Sequence, residues 1–201
     1  MKKFVKSTLT LVIALVTVLV LVACGDEERE QTLIVGSPEI SGNFMAGFGN
    51  SAYDVWVRDL IFGYGTYAVT PNGEIVLNET VVKDLTVTEN STTGDKTYTF
   101  VLEEDLLWSD GEKVTAQDYV FGILWSASIN WVNAGASSTA GDSLVGYRDY
   151  RTMPDPQDAT KRVNRTTSVG TKFAGVRLLG EYSFSVTIDG AKLPYFYETS
   201  Y

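Results

Sequence analysis

The chain has no histidine, one cysteine and five prolines among its 201 residues, and its 16 basic side chains face 25 acidic ones. Each shortage removes a class of function. Without imidazole there is no Ser-His-Asp or Cys-His pair and no histidine-ligated metal. A lone cysteine closes no internal disulfide and builds no multi-thiolate cage. A net charge of −9 argues against nucleic acid as a partner, because phosphate binding needs a basic surface. What is present is a 44% apolar chain of a length that fits one domain, or one and part of another.

The N-terminus reads as an export signal. Met1 to Lys6 carries Lys2, Lys3 and Lys6, and Ser7 to Ala23 is then uncharged and dominated by Leu, Val, Ile, Ala and Thr. A basic region followed by an apolar one is the secretory pattern. Ser7 to Cys24 is 18 residues, at the lower edge of a membrane-spanning helix, so a signal anchor competes on length alone. The ending decides between them: Leu21-Val22-Ala23-Cys24 resembles the bacterial lipobox. That resemblance implies cleavage before Cys24 and diacylglycerol on its sulfur, and two or more acyl chains anchor stably where one does not. Removing the three leader lysines leaves 13 basic against 25 acidic residues, a net −12. Gly25 to Gln31 has no apolar residue and reads as a solvated tether.

The body begins with Thr32 to Gly36, an apolar run of buried-strand type. A glycine-punctuated polar loop follows to Asn50. Ser51 and Asp54 have capping-box spacing, which predicts a helix to about Phe62 with Tyr53, Trp56, Val57, Leu60 and Ile61 on a core-facing stripe. Thr70 to Gly73 reads as a turn with proline second. Thr86–Glu89 and Thr97–Leu102 alternate around the turn-rich 90–95 and predict a hairpin. Glu103 to Gly111 is a polar turn ending in Asp-Gly, and Thr115 is the expected cap of a helix carrying Tyr119, Val120, Ile123, Leu124 and Ala127. From Asn130 to Gly170 no periodicity is legible. Val176–Leu179 and Tyr182–Ile188 alternate again as two strands.

Several motifs fail on context. Gly63-x-Gly65-x-x-Ala68 matches a loosened dinucleotide fingerprint, with Asp84 near the expected distance, but a helix precedes it and a turn follows it. Glu103, Glu104 and Asp105 read as a solvated turn rather than acid/base or cation-binding carboxylates. The sequons at Asn78, Asn90 and Asn164 carry no weight behind a bacterial lipoprotein signal. Trp108 and Trp125 read as core. Trp131, in the aperiodic region, is kept as a candidate ring for a ligand to stack on.

The stretch from Thr97 through Trp108-Ser109-Asp110-Gly111 and Val114-Thr115-Ala116-Gln117-Asp118 to Phe121 resembles the signature of oligopeptide- and dipeptide-binding lipoproteins, the family 5 solute-binding proteins of ABC importers. The family pattern is a strand, a Trp/Phe-x-Asp-Gly turn, then Val/Phe-Thr-Ala-(Glu/Gln)-Asp opening a helix. Asp59 to Tyr64 is similar to an early helix end of that family, with Gly63 where an acidic residue is usual. Phe173 to Ile188, continued by Leu193 to Phe196, is similar to a later stretch.

The resemblance implies a mixed α+β (α/β) fold, part of a two-lobed class II periplasmic-binding-protein architecture. On the family's length, it also implies that the chain holds only an incomplete first lobe. The implied layout is a signal at 1–23, the lipidated Cys24 with its tether at 24–31, and a binding domain from 32 to 201 in which about 67–171 forms an inserted subdomain. The implied function is an extracytoplasmic, membrane-anchored lipoprotein that captures oligopeptides and passes them to ABC permease subunits, with no cofactor, no metal and no catalysis. The signature itself is structural and names no ligand, so a dipeptide, sugar or metal chelate remains an alternative within the family. A secreted hydrolase using Ser or carboxylate chemistry is the alternative outside it. Ser37, Glu39, Ser41 and Asn43, in the loop after the first strand, are the candidate ligand contacts together with Trp131. Replacing Cys24 by serine is expected to abolish incorporation of a fatty-acid label, and a labelled Cys24→Ser protein would refute the lipobox assignment.

Overall fold

The computed structural model describes residues 33–49, 51–136 and 140–192. The signal, Cys24, the tether and the Leu193 to Phe196 match lie outside these residues. Two compact units divide the chain, Met1–Pro38 and Glu39–Tyr201. In the first, residues 33–38 form no strand, and Leu33, Ile34 and Val35 are 86%, 89% and 72% exposed. The buried strand expected at Thr32–Gly36 is therefore not formed among the described residues: no described strand offers its backbone a ladder partner.

In the second unit the elements run α1 (Ala52–Ile61), β1 (Tyr67–Val69), β2 (Ile75–Leu77), β3 (Val82–Glu89), β4 (Lys96–Leu102), α2 (Ala116–Ala127), α3 (Ile129–Asn133), α4 (Tyr147–Arg151), β5 (Thr152–Pro154), β6 (Arg162–Asn164), β7 (Val176–Gly180) and β8 (Ser183–Ile188). This is a mixed α+β arrangement. Its centre is a four-stranded antiparallel sheet in the order β3-β4-β8-β7, two hairpins laid side by side. The β4–β8 pairing thus joins segments about 90 residues apart in sequence, as in the Thr97–Thr187 hydroxyl contact at 2.9 Å. The shorter pairs β1-β2 and β5-β6 stand apart from it.

Strand β4 alternates as its sequence requires: Tyr98, Phe100 and Leu102 are buried while Thr97, Thr99 and Val101 are half-buried. On β8, Phe184, Val186 and Ile188 answer them, with Phe100 opposite Phe184 and Tyr98 opposite Val186. Helix α2 lies against β7 and β8 and adds Ile123, Ala127 and the ring of Tyr119. The rings of Phe100 and Phe184 stack at 5.1 Å and 18°, and those of Phe184 and Tyr119 at 5.4 Å and 15°.

The aperiodic region holds α3, α4, β5 and β6. These are pieces of three to five residues, too short to display a period. Buried Ser168 ties α3 to α4: its Oγ accepts from Ile129 N–H at 3.1 Å and donates to Tyr150 O at 3.0 Å. Asn130 Oδ1 accepts from Ser168 N–H at 2.8 Å and from the Thr167 hydroxyl at 3.1 Å.

Phe184 is fully buried between two rings, so Phe184→Ala is expected to cost about 3–5 kcal/mol. Urea unfolding checks this as a fall in midpoint at unchanged slope.

Candidate functional site

The loop at 39–49 is pinned at both ends. At its start, Asp54 in the first turn of α1 accepts from the Ser41 hydroxyl at 2.5 Å and from Gly42 N–H at 3.1 Å. Ser51 is the cap residue of α1 but makes no side-chain cap bond. The carboxylate that capping spacing assigns to the helix start is taken by the loop. Asp54 is 1% exposed, while Ser41 and Asn43 are exposed.

At its end the loop rests on Trp131, 7% exposed. Phe48 meets this indole edge-on at 4.7 Å and Trp125 does so at 5.9 Å. Gly47 has φ +84°, and a Cβ placed there would lie 2.7 Å from Trp131 Cζ2. Gly49 closes the loop back on itself, where a Cβ would come within 2.9 Å of Asn43 O. Backbone approach this close needs glycine. Its place in the aperiodic region made Trp131 a candidate stacking ring; the structure puts it beneath the loop, against Gly47 and Phe48. Glu39 is exposed at the start of the same unit. Ser37, in the first unit, is exposed and donates its hydroxyl to Pro38 O at 3.0 Å. Asp54, Gly47 and Gly49 were not singled out from sequence as site residues; the run Gly42, Gly47, Gly49 was the available signal.

The Trp108 corner is built separately. Gly111 N–H donates to Trp108 O at 3.0 Å and Trp108 N–H to Glu112 O at 2.8 Å, with Gly111 at φ +89°. Asp118 reaches back over the start of α2, accepting from Thr115 N–H at 2.8 Å and from the Thr115 hydroxyl at 2.9 Å. Beside this corner an open groove of about 950 Å³ runs between the end of α1 and α2, lined by Leu60, Phe62, Tyr64, Trp108, Tyr119 and Phe121 among others. The Tyr119 hydroxyl donates across it to Tyr64 O at 2.6 Å, and the Tyr64 hydroxyl to Leu107 O at 2.9 Å. Burial, reinforced by neighbouring Tyr64 and Asp118, pushes the Tyr119 hydroxyl well above the usual phenol range, so it stays a donor.

Glu103, Glu104 and Asp105 lie in a turn whose contacts are ordinary surface ones, Glu104 standing 3.7 Å from Lys83. After Gly65 the chain enters β1 and no helix begins there. Among the described residues no cluster of three or more His, Cys, Asp or Glu side chains could hold a metal, and no helix is long and apolar enough to cross a membrane.

No family model matches the chain. The chain is similar to the periplasmic oligopeptide-binding protein OppA of Salmonella typhimurium, 30% identical over 103 residues, which is 51% of this chain and 16% of that protein. A solved structure of OppA from Listeria monocytogenes bound to peptide matches 66% of this chain and 22% of its own at 21% identity, with a TM-score of 0.42. The chain thus spans about a sixth of the length of the curated relative it matches.

Gly42 and Gly47 both have positive φ, but nothing lies within 4 Å of a Cβ at Gly42. Gly42→Ala is expected to cost about 1–2 kcal/mol of backbone strain. Gly47→Ala adds a clash with a buried ring, about 1–3 kcal/mol more. Thermal melts of the two variants check the order, and equal losses would remove Trp131 as the support of the loop.

Proposed function

We propose that the chain is part of an extracytoplasmic substrate-binding lipoprotein that captures oligopeptides between two lobes for delivery to ABC permease subunits. The observation that carries this reading is the similarity to an oligopeptide-binding protein over half of the chain. The signature segment supports it: in the structure 97–121 makes a strand, a glycine-closed corner and a capped helix in the order the family pattern requires.

In this reading Cys24 carries the lipid and 24–31 is the tether, with the binding domain from residue 32 and the 67–171 subdomain within it. Glu39, Ser41 and Asn43 are ligand contacts on the 39–49 loop that Trp131 supports, and Ser37 is a further ligand contact. Peptide is recognised through its backbone, as an added strand would be, with side chains left in roomy pockets. Ligand favours closure because only the closed state makes both lobes' contacts. The chemistry is binding and release.

Titration calorimetry of the intact gene product against a mixed peptide library is expected to give saturable one-to-one binding with no product formed. Failure to bind any peptide sinks the peptide reading. Turnover of a peptide or ester sinks the binding-protein reading, and saturable binding of a sugar or metal chelate instead moves the ligand while keeping the class.

A further inference from the structure

The central sheet ends on β3 at one side and β7 at the other, and the two edges differ. β7 has five residues, and its pairing shifts register between Leu178 and Gly180. β3 has eight and pairs with β4 without a break from Asp84 to Glu89, its register shift lying back between Val82 and Asp84. A bulge twists an edge away from further pairing. β7 is guarded in its middle, and β3 only at its start.

The turn after β3 sets the phase of its hydrogen bonds, because Asn90 N–H donates to Asp95 O at 2.8 Å. Bonding alternates along an antiparallel ladder, so Thr88, Thr86 and Asp84 direct their backbone groups to β4. Leu85, Val87 and Glu89 direct theirs outward, where no described strand pairs with them. Leu85 stands opposite Phe100 and Val87 opposite Tyr98, on the core face of the sheet. Both rings are buried, yet Val87 is 47% exposed. The apolar face runs to the edge and stops uncovered.

The segment Lys83-Asp84-Leu85-Thr86-Val87-Thr88-Glu89 is complementary to itself. Laid antiparallel on a second copy about a two-fold axis at Thr86, it sets Lys83 opposite Glu89 at both ends and Leu85 opposite Val87. Asp84 then meets Thr88, and the outward backbone groups of the two strands face each other. An axis at Asp84 or Glu89 would oppose like charges, and one at Leu85, Val87 or Thr88 would set Glu89 opposite an apolar residue. Opposite charges and apolar pairs directly across a ladder stabilise it, and like charges destabilise it. Lys83 lies 3.7 Å from Glu104 with both side chains more than half exposed, a weak surface pair that does not hold it back.

We propose that β3 is a self-association surface on which two copies of this chain pair antiparallel about a two-fold axis at Thr86, joining their four-stranded sheets into one. A contact of this kind is isologous, so it occupies β3 of both copies and closes at two. It holds whatever the chain binds.

The test is disulfide trapping in the intact gene product at its membrane, with mild oxidation read on a non-reducing gel. At the axis the two Thr86 residues form a non-hydrogen-bonded pair with Cα atoms about 4.5 Å apart, within disulfide range. Thr86→Cys is therefore expected to give a covalent dimer. Thr88→Cys places its sulfurs four residues apart along the pair, roughly 14 Å at about 3.4 Å per residue, and is expected to give none. Cys24, the one native cysteine, is present in every variant, so the unaltered protein is the blank. Val87→Pro removes an N–H that β4 does not use and is expected to abolish the Thr86→Cys dimer with peptide binding unchanged. Glu89→Lys sets lysine against Lys83 at both ends and is expected to cut trapping several-fold, with Lys83→Glu added to it restoring the yield. This charge swap carries the test if Val87→Pro does not fold. No dimer from Thr86→Cys, equal trapping at both positions, or trapping indifferent to both Val87→Pro and the charge swap overturns the proposal, and the ligand reading stands in each case.

Discussion

Phe184 sits between Phe100 and Tyr119 in a column of stacked rings, and the sheet, α2 and the Trp108 corner all meet at that column. Phe100 and Phe184 come from the two hairpins, so their contact fixes the register of β4 against β8. A slip of one residue would turn every inward ring outward, which is why the alternation on both strands and the ring column specify each other. Tyr119 extends the column into α2 and carries its hydroxyl to Tyr64 O. The start of α2 is tied to the β7–β8 turn as well, through Ala116 N–H to Glu181 O at 2.8 Å. The conspicuous Trp-x-Asp-Gly sequence therefore works as a corner brace. Its hydrogen bonds close the turn on itself, and the helix that follows is closed at its start by Asp118 on Thr115.

The loop at 39–49 uses a different device. It has little apolar burial of its own and is held at two points, a buried carboxylate at Ser41 and Gly42 and a buried indole under Gly47. The indole rests on the rest of the fold through Trp125, on the same helix as Tyr119. The polar groups of the loop are thus positioned by the ring packing of α2, even though they belong to a segment distant from it in sequence. A loop fixed in this way presents its donors and acceptors with less ordering cost on binding than a free one.

Legibility in the sequence followed element length. The strands β3, β4, β7 and β8 and the helix α2 were readable within a residue or a few because each runs long enough to show its period, and the Thr115 cap and the 90–95 turn carried their own chemistry. The pieces between 129 and 164 were not readable, being no longer than five residues and held by Ser168 and Asn130 rather than by a stripe. Two readings failed for instructive reasons. The stripe on α1 has helical spacing, as expected, yet Trp56, Leu60 and Ile61 are 60%, 89% and 61% exposed, because spacing reports a face and not what covers it. Asp54 has capping spacing and does not cap, because two donors from a loop a dozen residues upstream outcompete one from the helix's own start. Long-range hydrogen bonding of that kind leaves no mark on a local pattern.

Charge operates here on two length scales, and they do different work. The excess of acidic side chains, −9 over the whole sequence, makes a diffuse field that draws in cationic and zwitterionic molecules and repels anions, but salt screens it within about 10 Å. Such a field raises encounter rates without distinguishing one end of a zwitterion from the other. Orientation needs a charge at contact distance behind a directional group. Asp54 satisfies both conditions: it is shielded from solvent by its own burial, and it acts through a hydroxyl whose single proton can point only one way.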